Sequence, residues 1–283
     1  MKNILVPTDF SPCADAALNY ALELAKKTDA EIILLHCCEL FEPDFSSIKE
    51  LVKEHNASLK KELYGQLNFI KEGITKASSL QVTALLYGGG QSVPDSILEA
   101  ALHHSADLII MGTEGATGLT RRLFGTKTAA VINNSRTPVL TIPPHCKWSE
   151  PKSILLAIEE REQANETLQP VFELASLFGA NICSAVFTEE DAEVFEVLTH
   201  TRNLYVTQKK LQNSFAGTPV EFIHLTGKDF HGTLQEFVAE RHMDMLAMIT
   251  HKRNFLQNIF NSSRTQKMSY LSRVPLLSLQ TRL

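Results

Sequence analysis

Gly112, Gly115 and Gly125, separated by two and nine residues and followed by Thr126, outline a loop suited to cradling phosphate. The run Leu108-Ile109-Ile110-Met111 ahead of Gly112 reads as a strand buried on both faces, as in a parallel sheet. Gly112 and Gly115 can take backbone angles closed to other residues and leave room for a ligand against the main chain. Ala129, Ala130 and Val131 mark Thr126 to Asn134 as a helix beginning near Thr126. Exposed N–H groups at such a start bind anions, and the Thr126 hydroxyl adds a donor. Thr137-Pro138-Val139-Leu140-Thr141-Ile142 then reads as another short strand. Gly125-Thr126-Lys127-Thr128 is not a Walker loop, because Thr126 separates glycine from lysine and Gly118 lies too far upstream.

The elements that must hold this loop precede it. Lys2 to Thr8 is a strand, and Asp9-Phe10-Ser11-Pro12 turns it into a helix, with Ser11 as N-cap and Pro12 at the first helical position. Ala17, Leu18, Ala21, Leu24 and Ala25 form that helix's apolar stripe. Glu31 to Cys38 is a second buried strand, so the start of the chain is a βαβ unit. Glu39 to Lys76 reads as a charge-laced surface helix, Gln81 to Tyr87 as a third strand, and Pro94 to His104 as a further helix; Gly88-Gly89-Gly90 reads as a strand exit. Doubly wound sheets bind ligands at the carboxyl ends of their strands, where strand order switches, which puts Asp9, Cys37 and Gly112 on one crevice. Asp9 has a second reading as the cap of its own turn.

The glycine run, Met111 before it, Pro138-Val139-Leu140 after it and the start Ile4-Leu5-Val6-Pro7-Thr8-Asp9-Phe10-Ser11 together resemble the ATP-binding universal stress proteins. The resemblance covers the N-terminal half and, more faintly, the C-terminal half. It implies an α/β fold of two tandem doubly wound five-stranded parallel-sheet domains, of the adenine nucleotide alpha hydrolase-like type. It implies an adenine-nucleotide site, with or without magnesium. Pro7, Thr8, Asp9 and Cys37 would line the adenine and ribose pocket, and Met111 and Gly112 would flank the ribose. Gly115, Gly125, Thr126 and Lys127 would hold the phosphates. Cys37 and Lys127 stand where valine is common in the family. Lys127, Arg121 and Arg122 either reach phosphate or are solvated.

The second half repeats the first. At an offset of 150, Lys2, Ile4, Leu5, Ala30 and Ile32 recur as Lys152, Ile154, Leu155, Ala180 and Ile182. At an offset of 137, Gly90, Glu99, Asp107, Arg136 and Pro138 recur as Gly227, Glu236, Asp244, Arg273 and Pro275. The domains expected are 1–143 and 152–283, joined by a proline-rich linker, 144–151, whose Trp148 packs across the junction. Gly112, Gly115 and Gly125 become Ile249, Lys252 and Ser262, and Asp9 becomes Glu159, so the second copy has lost the cradle. Ser262, Ser263 and Thr265 keep hydroxyls there. Family members commonly pair through their last strands. Pro138 to Ile142 and Pro275 to Leu279 are therefore expected to lie antiparallel, making the chain an intramolecular pseudo-dimer free to self-associate further.

The remaining composition excludes more than it adds. The 283 residues carry a net charge of −5, with 44% hydrophobic and 21% charged residues, which gives no reason to expect nucleic acid or an anionic membrane as partner. No apolar stretch approaches the ~20 residues of a membrane span, and no signal-peptide core opens the chain. Five scattered cysteines (Cys13, Cys37, Cys38, Cys146, Cys183) without a C-x-x-C pair suit a reducing compartment, so the cytoplasm is expected. No Cys/His ligand spacing and no G-x-S-x-G elbow is present, so neither a metal nor a catalytic serine is expected. The leading function is a nucleotide-responsive, non-catalytic stress-response module. A slow ATPase or self-phosphorylating enzyme using Thr126 or a bound water is one alternative, and a tandem scaffold that binds no nucleotide is another.

Overall fold

The computed structural model of the chain describes residues 1–41, 49–89, 91–114, 124–157, 165–215, 217–250 and 273–280. Apolar runs just long enough to cross a sheet become β1 (Asn3–Pro7), β2 (Glu31–Cys38), β4 (Leu108–Gly112) and β5 (Val139–Ile142), with β3 (Val82–Gly88) outside them. Ser11 starts α1 (Pro12–Thr28): its hydroxyl accepts from the Ala14 N–H at 3.2 Å, satisfying a donor that a helix start leaves open. Asp29, with φ 54°, ends it, and its repeat mate Gly179, with φ 62°, ends α5 (Asn165–Phe178). The expected long surface helix begins only at Lys49, as α2 (Lys49–Ala77); its buried side chains are Leu67 and Ile74, so the polar spacing elsewhere faces solvent. Residues 42–48 of that span lie outside the described ones.

Two shorter helices, α3 (Val93–His103) and α4 (Thr126–Asn134), complete the first half. The second half runs β6 (Ser153–Ala157), α5, β7 (Asn181–Glu189), α6 (Val194–Ser214), β8 (Val220–Gly227), α7 (Phe230–Glu240), β9 (Met245–Thr250) and β10 (Leu276–Gln280). The described strands form one ten-stranded sheet in the order β3-β2-β1-β4-β5-β10-β9-β6-β7-β8. Within each run of five the neighbours are parallel; between the runs, β5 and β10 pair antiparallel, with Leu140 opposite Leu277. One apolar layer holds α1, α2, α5 and α6 against the sheet, and the other holds α3, α4 and α7. Among the described residues no helix is long and apolar enough to cross a membrane.

The repeated residues have a structural cause. The Asp107 carboxylate accepts from the N–H groups of Lys2 and Asn3, and Asp244 accepts from those of Lys152 and Ser153 at 2.9 and 3.0 Å. Each aspartate thus pins the first strand of its half to the turn before the fourth. Pro138 and Pro275 offer carbonyls to Ile109 and Leu246, both at 2.9 Å. Trp148 does pack across the junction: its ring meets Tyr20 of α1 at 4.5 Å and Phe178 of α5 at 5.8 Å, both edge-on. Glu150 adds an ion pair to Lys27 at 2.5 Å.

Candidate functional site

Strand order reverses between β1 and β4, so the carboxyl ends of β1, β2 and β4 open onto one crevice. The segment leaving β1 is fixed by its own polar groups. The Thr8 N–H donates to the Leu35 carbonyl at 2.8 Å, and the Phe10 N–H donates to the Thr8 hydroxyl at 3.0 Å. The Ser11 N–H donates to Asp9 Oδ1 at 3.1 Å, so Asp9 does cap its turn, whatever else it does. Phe10 takes the left-handed conformation, with φ 60°, at about 1–3 kcal/mol for a non-glycine residue. Its ring stacks on His36 with centroids 4.6 Å apart. His36 Nδ1 lies 2.7 Å from the Thr8 carbonyl, and since a carbonyl only accepts, that nitrogen carries the proton.

The charges of the crevice meet here. Burial depresses the proton affinity of His36; the Thr8 bond and Asp9 oppose this, and Lys127 adds to it. Burial, then Cys38, pushes the Cys37 thiol up to about 12, with Lys127 acting against them. Cys37 is therefore a neutral thiol at ordinary pH, a small polar wall rather than a nucleophile. Asp9 and Lys127 both act on His36, and Lys127 on Cys37 as well, although these residues come from the turn after β1, from β2 and from the first turn of α4.

The far side of the crevice is β4 and α4. Met111 is buried in the layer under α3 and α4. Gly112 departs from expectation in its backbone alone: it is not in the left-handed region, and a Cβ there would stand 3.0 Å from the Cys13 carbonyl carbon and oxygen and 2.7 Å from its sulfur. Glycine at 112 lets the first turn of α1 approach β4. Gly125, with φ −63°, also needs no special backbone, and its N–H is already committed to the Thr113 carbonyl at 2.8 Å. As N-cap of α4 it brings no side-chain acceptor, so the N–H groups of Thr126, Lys127 and Thr128 face outward without an acceptor among the described residues. The Thr128 hydroxyl is used elsewhere, donating to the Gly112 carbonyl at 3.0 Å and fixing α4 to the end of β4.

Gly115, with Gly118, Arg121 and Arg122, lies outside the described residues, as do Glu159, Lys252, Ser262, Ser263 and Thr265 of the second copy. Ile249 is described: it stands opposite Leu279 as Gly112 stands opposite Ile142, and is 3% exposed. Sequence reasoning places Phe10 in the turn after β1 but misses His36 and the stacking of the two rings. Their signal was position alone, one residue before Cys37 and one after Asp9.

Comparison with known proteins places this half of the chain. The universal stress protein family model matches residues 1–143. A universal stress protein of Methanocaldococcus jannaschii is 33% identical over 149 residues, covering 50% of this chain and 81% of the relative. A second from the same organism is 32% identical over 155 residues, covering 50% and 94%. A universal stress protein of Archaeoglobus fulgidus DSM 4304, solved by crystallography, follows the fold over both halves, with a TM-score of 0.65, 17% identity and 98% of each chain covered. The span matched by the family model carries the crevice together with the strands that build it, and the chain belongs to the universal stress protein family.

Proposed function

We propose that the N-terminal half binds ATP or another adenine nucleotide and that the chain acts as a nucleotide-responsive regulatory module without efficient catalysis. The observation that carries this reading is the uncapped start of α4 after β4, where the N–H groups of Thr126, Lys127 and Thr128 have no acceptor among the described residues and Lys127 stands in the first turn. That arrangement suits an anion, since the donors and the positive helix end act together. Thr126, Lys127 and Gly125 would hold phosphates, with Gly115 from the adjoining loop. Pro7, Thr8, Asp9, Cys37, Met111 and Gly112 would form the nucleoside end. Asp9 orders its turn and faces the site at once, so the two readings of that residue are compatible. Residues 1–143 and 152–283 serve as the two domains, joined by 144–151. The β5–β10 seam supports reading them as an internal pseudo-dimer with a single competent site. Calorimetry of the full chain with ATP, together with mass analysis of ligand released on denaturation, tests the reading. One adenine nucleotide per chain is expected, with binding abolished by Gly115→Val. Two equivalent sites, or none, would refute it.

A further inference from the structure

The helix that offers its N-terminus to the crevice is held at its other end by the opposite half of the chain. A helix leaves its last four carbonyls without intrahelical partners. At the end of α4 the Val131 carbonyl accepts from the Ser135 N–H at 2.8 Å. Those of Ile132 and Asn133 are taken by Gln280, whose side-chain nitrogen lies 3.1 and 2.6 Å away. Both partners are carbonyls, which only accept, so the NH₂ side of the carboxamide must face them, and its two hydrogens match two acceptors. Gln280 is the last residue of β10, within the run of strands beyond the seam. The seam supports the clasp: Leu276 to Ser278 pair with Thr141 to Val139, and the Thr141 hydroxyl donates to the Leu276 carbonyl at 3.3 Å.

We infer that Gln280 couples the C-terminal half to the nucleotide site, making that half a regulator of binding in the other; this rests on the nucleotide reading above. α4 is nine residues long, a rod of about 13 Å at ~1.5 Å per residue. Phosphate at its first turn and Gln280 at its last therefore act on one short rigid body, whose Thr128 also ties it to β4. Whatever the clasp contributes to nucleotide affinity, the nucleotide must return to the clasp by the same factor. At the repeat offset of 137 the counterpart of Gln280 is Pro143, which has no side-chain donor.

The test uses the full chain with Gln280→Met, which keeps length and packing but removes the donors, and Gln280→Glu, which sets an acceptor-only carboxylate against the negative end of the helix. Circular dichroism and a denaturation curve check that each variant folds. Calorimetry with ATP should show about three- to tenfold weaker binding for Gln280→Met, a part of what the two hydrogen bonds contribute together, and more for Gln280→Glu. Hydrogen exchange should show ATP slowing the amides of 276–280 in the wild type and not in Gln280→Met. ATP binding of unchanged affinity in both folded variants, or exchange at 276–280 indifferent to ATP, overturns the coupling and leaves the nucleotide reading standing. A wild-type chain that takes up no adenine nucleotide overturns both.

Discussion

Asp107 gathers the first N–H groups of β1, and Asp244, 137 residues later, gathers those of β6 in the same way. Pro138 and Pro275 offer the same carbonyl to the same neighbouring strand. At the carboxyl ends of the strands the two halves part: Gly112 admits the first turn of α1, while Ile249 fills the matching register with a buried side chain. Hydrogen bonds that hold a sheet together are kept in both copies, because each copy has a first strand to anchor. Residues that shape a crevice are needed only where something enters it. The second half has kept the architecture of the first and departs from it at the carboxyl ends of its strands.

The sharpest way to break this contrast is to give the first half the second half's residue. Gly112→Ile puts a branched side chain against the Cys13 backbone, and overpacking of this kind costs about 1–3 kcal/mol. Urea denaturation should report that loss, and calorimetry a loss of ATP binding with it. Unchanged stability would mean that α1 does not rest on β4 as described. The shared scaffold is tested by Asp107→Ala and Asp244→Ala, each of which removes one carboxylate from two main-chain donors. Both should lose about 1 kcal/mol, and by similar amounts. A silent Asp244→Ala beside a costly Asp107→Ala would show that the halves are not held alike.

The smallest effect concerns pH. The folded chain holds His36 below its ordinary pKa, with burial as the main cause, so the unfolded chain binds the extra proton first as pH falls. The contribution of a neutral His36 is therefore whole above about pH 6.5 and is lost progressively below it. Between pH 7.5 and 5.5 the wild type should lose more stability than His36→Gln, which keeps a donor for the Thr8 carbonyl and cannot titrate. Equal slopes for the two proteins would remove His36 from the account.

Much of this was legible in the chain itself. The βαβ order, the Ser11-Pro12 helix start, the bounds of β2 and α4 and the repeat of Asp107 as Asp244 follow from short-range chemistry and periodicity. The seam followed from knowledge of the family, since no local pattern says which strand β5 will meet. The close packing at Gly112 was not legible because it is an approach by Cys13, ninety-nine residues earlier in the chain. The stack of Phe10 on His36 was missed because a stacked pair has no sequence period. Gln280 was invisible for a related reason: its partners are carbonyls, which every residue has, and only the folded seam brings them within reach.

The seam also sets an order of events while the chain is being made. Leu140 finds its partner in Leu277, 137 residues further on. At about 5–20 residues per second, β5 waits roughly 7–30 s with one edge open after it has left the ribosome. An open apolar edge invites the same strand of a neighbouring nascent chain. Two features limit that exposure: β5 has only four residues, and Pro143-Pro144 directly after it cannot extend the ladder. Once β10 emerges, its tether holds it at an effective concentration that separate chains do not match. Joining the two halves in one polypeptide thus turns a contest among many partners into the closing of a single loop.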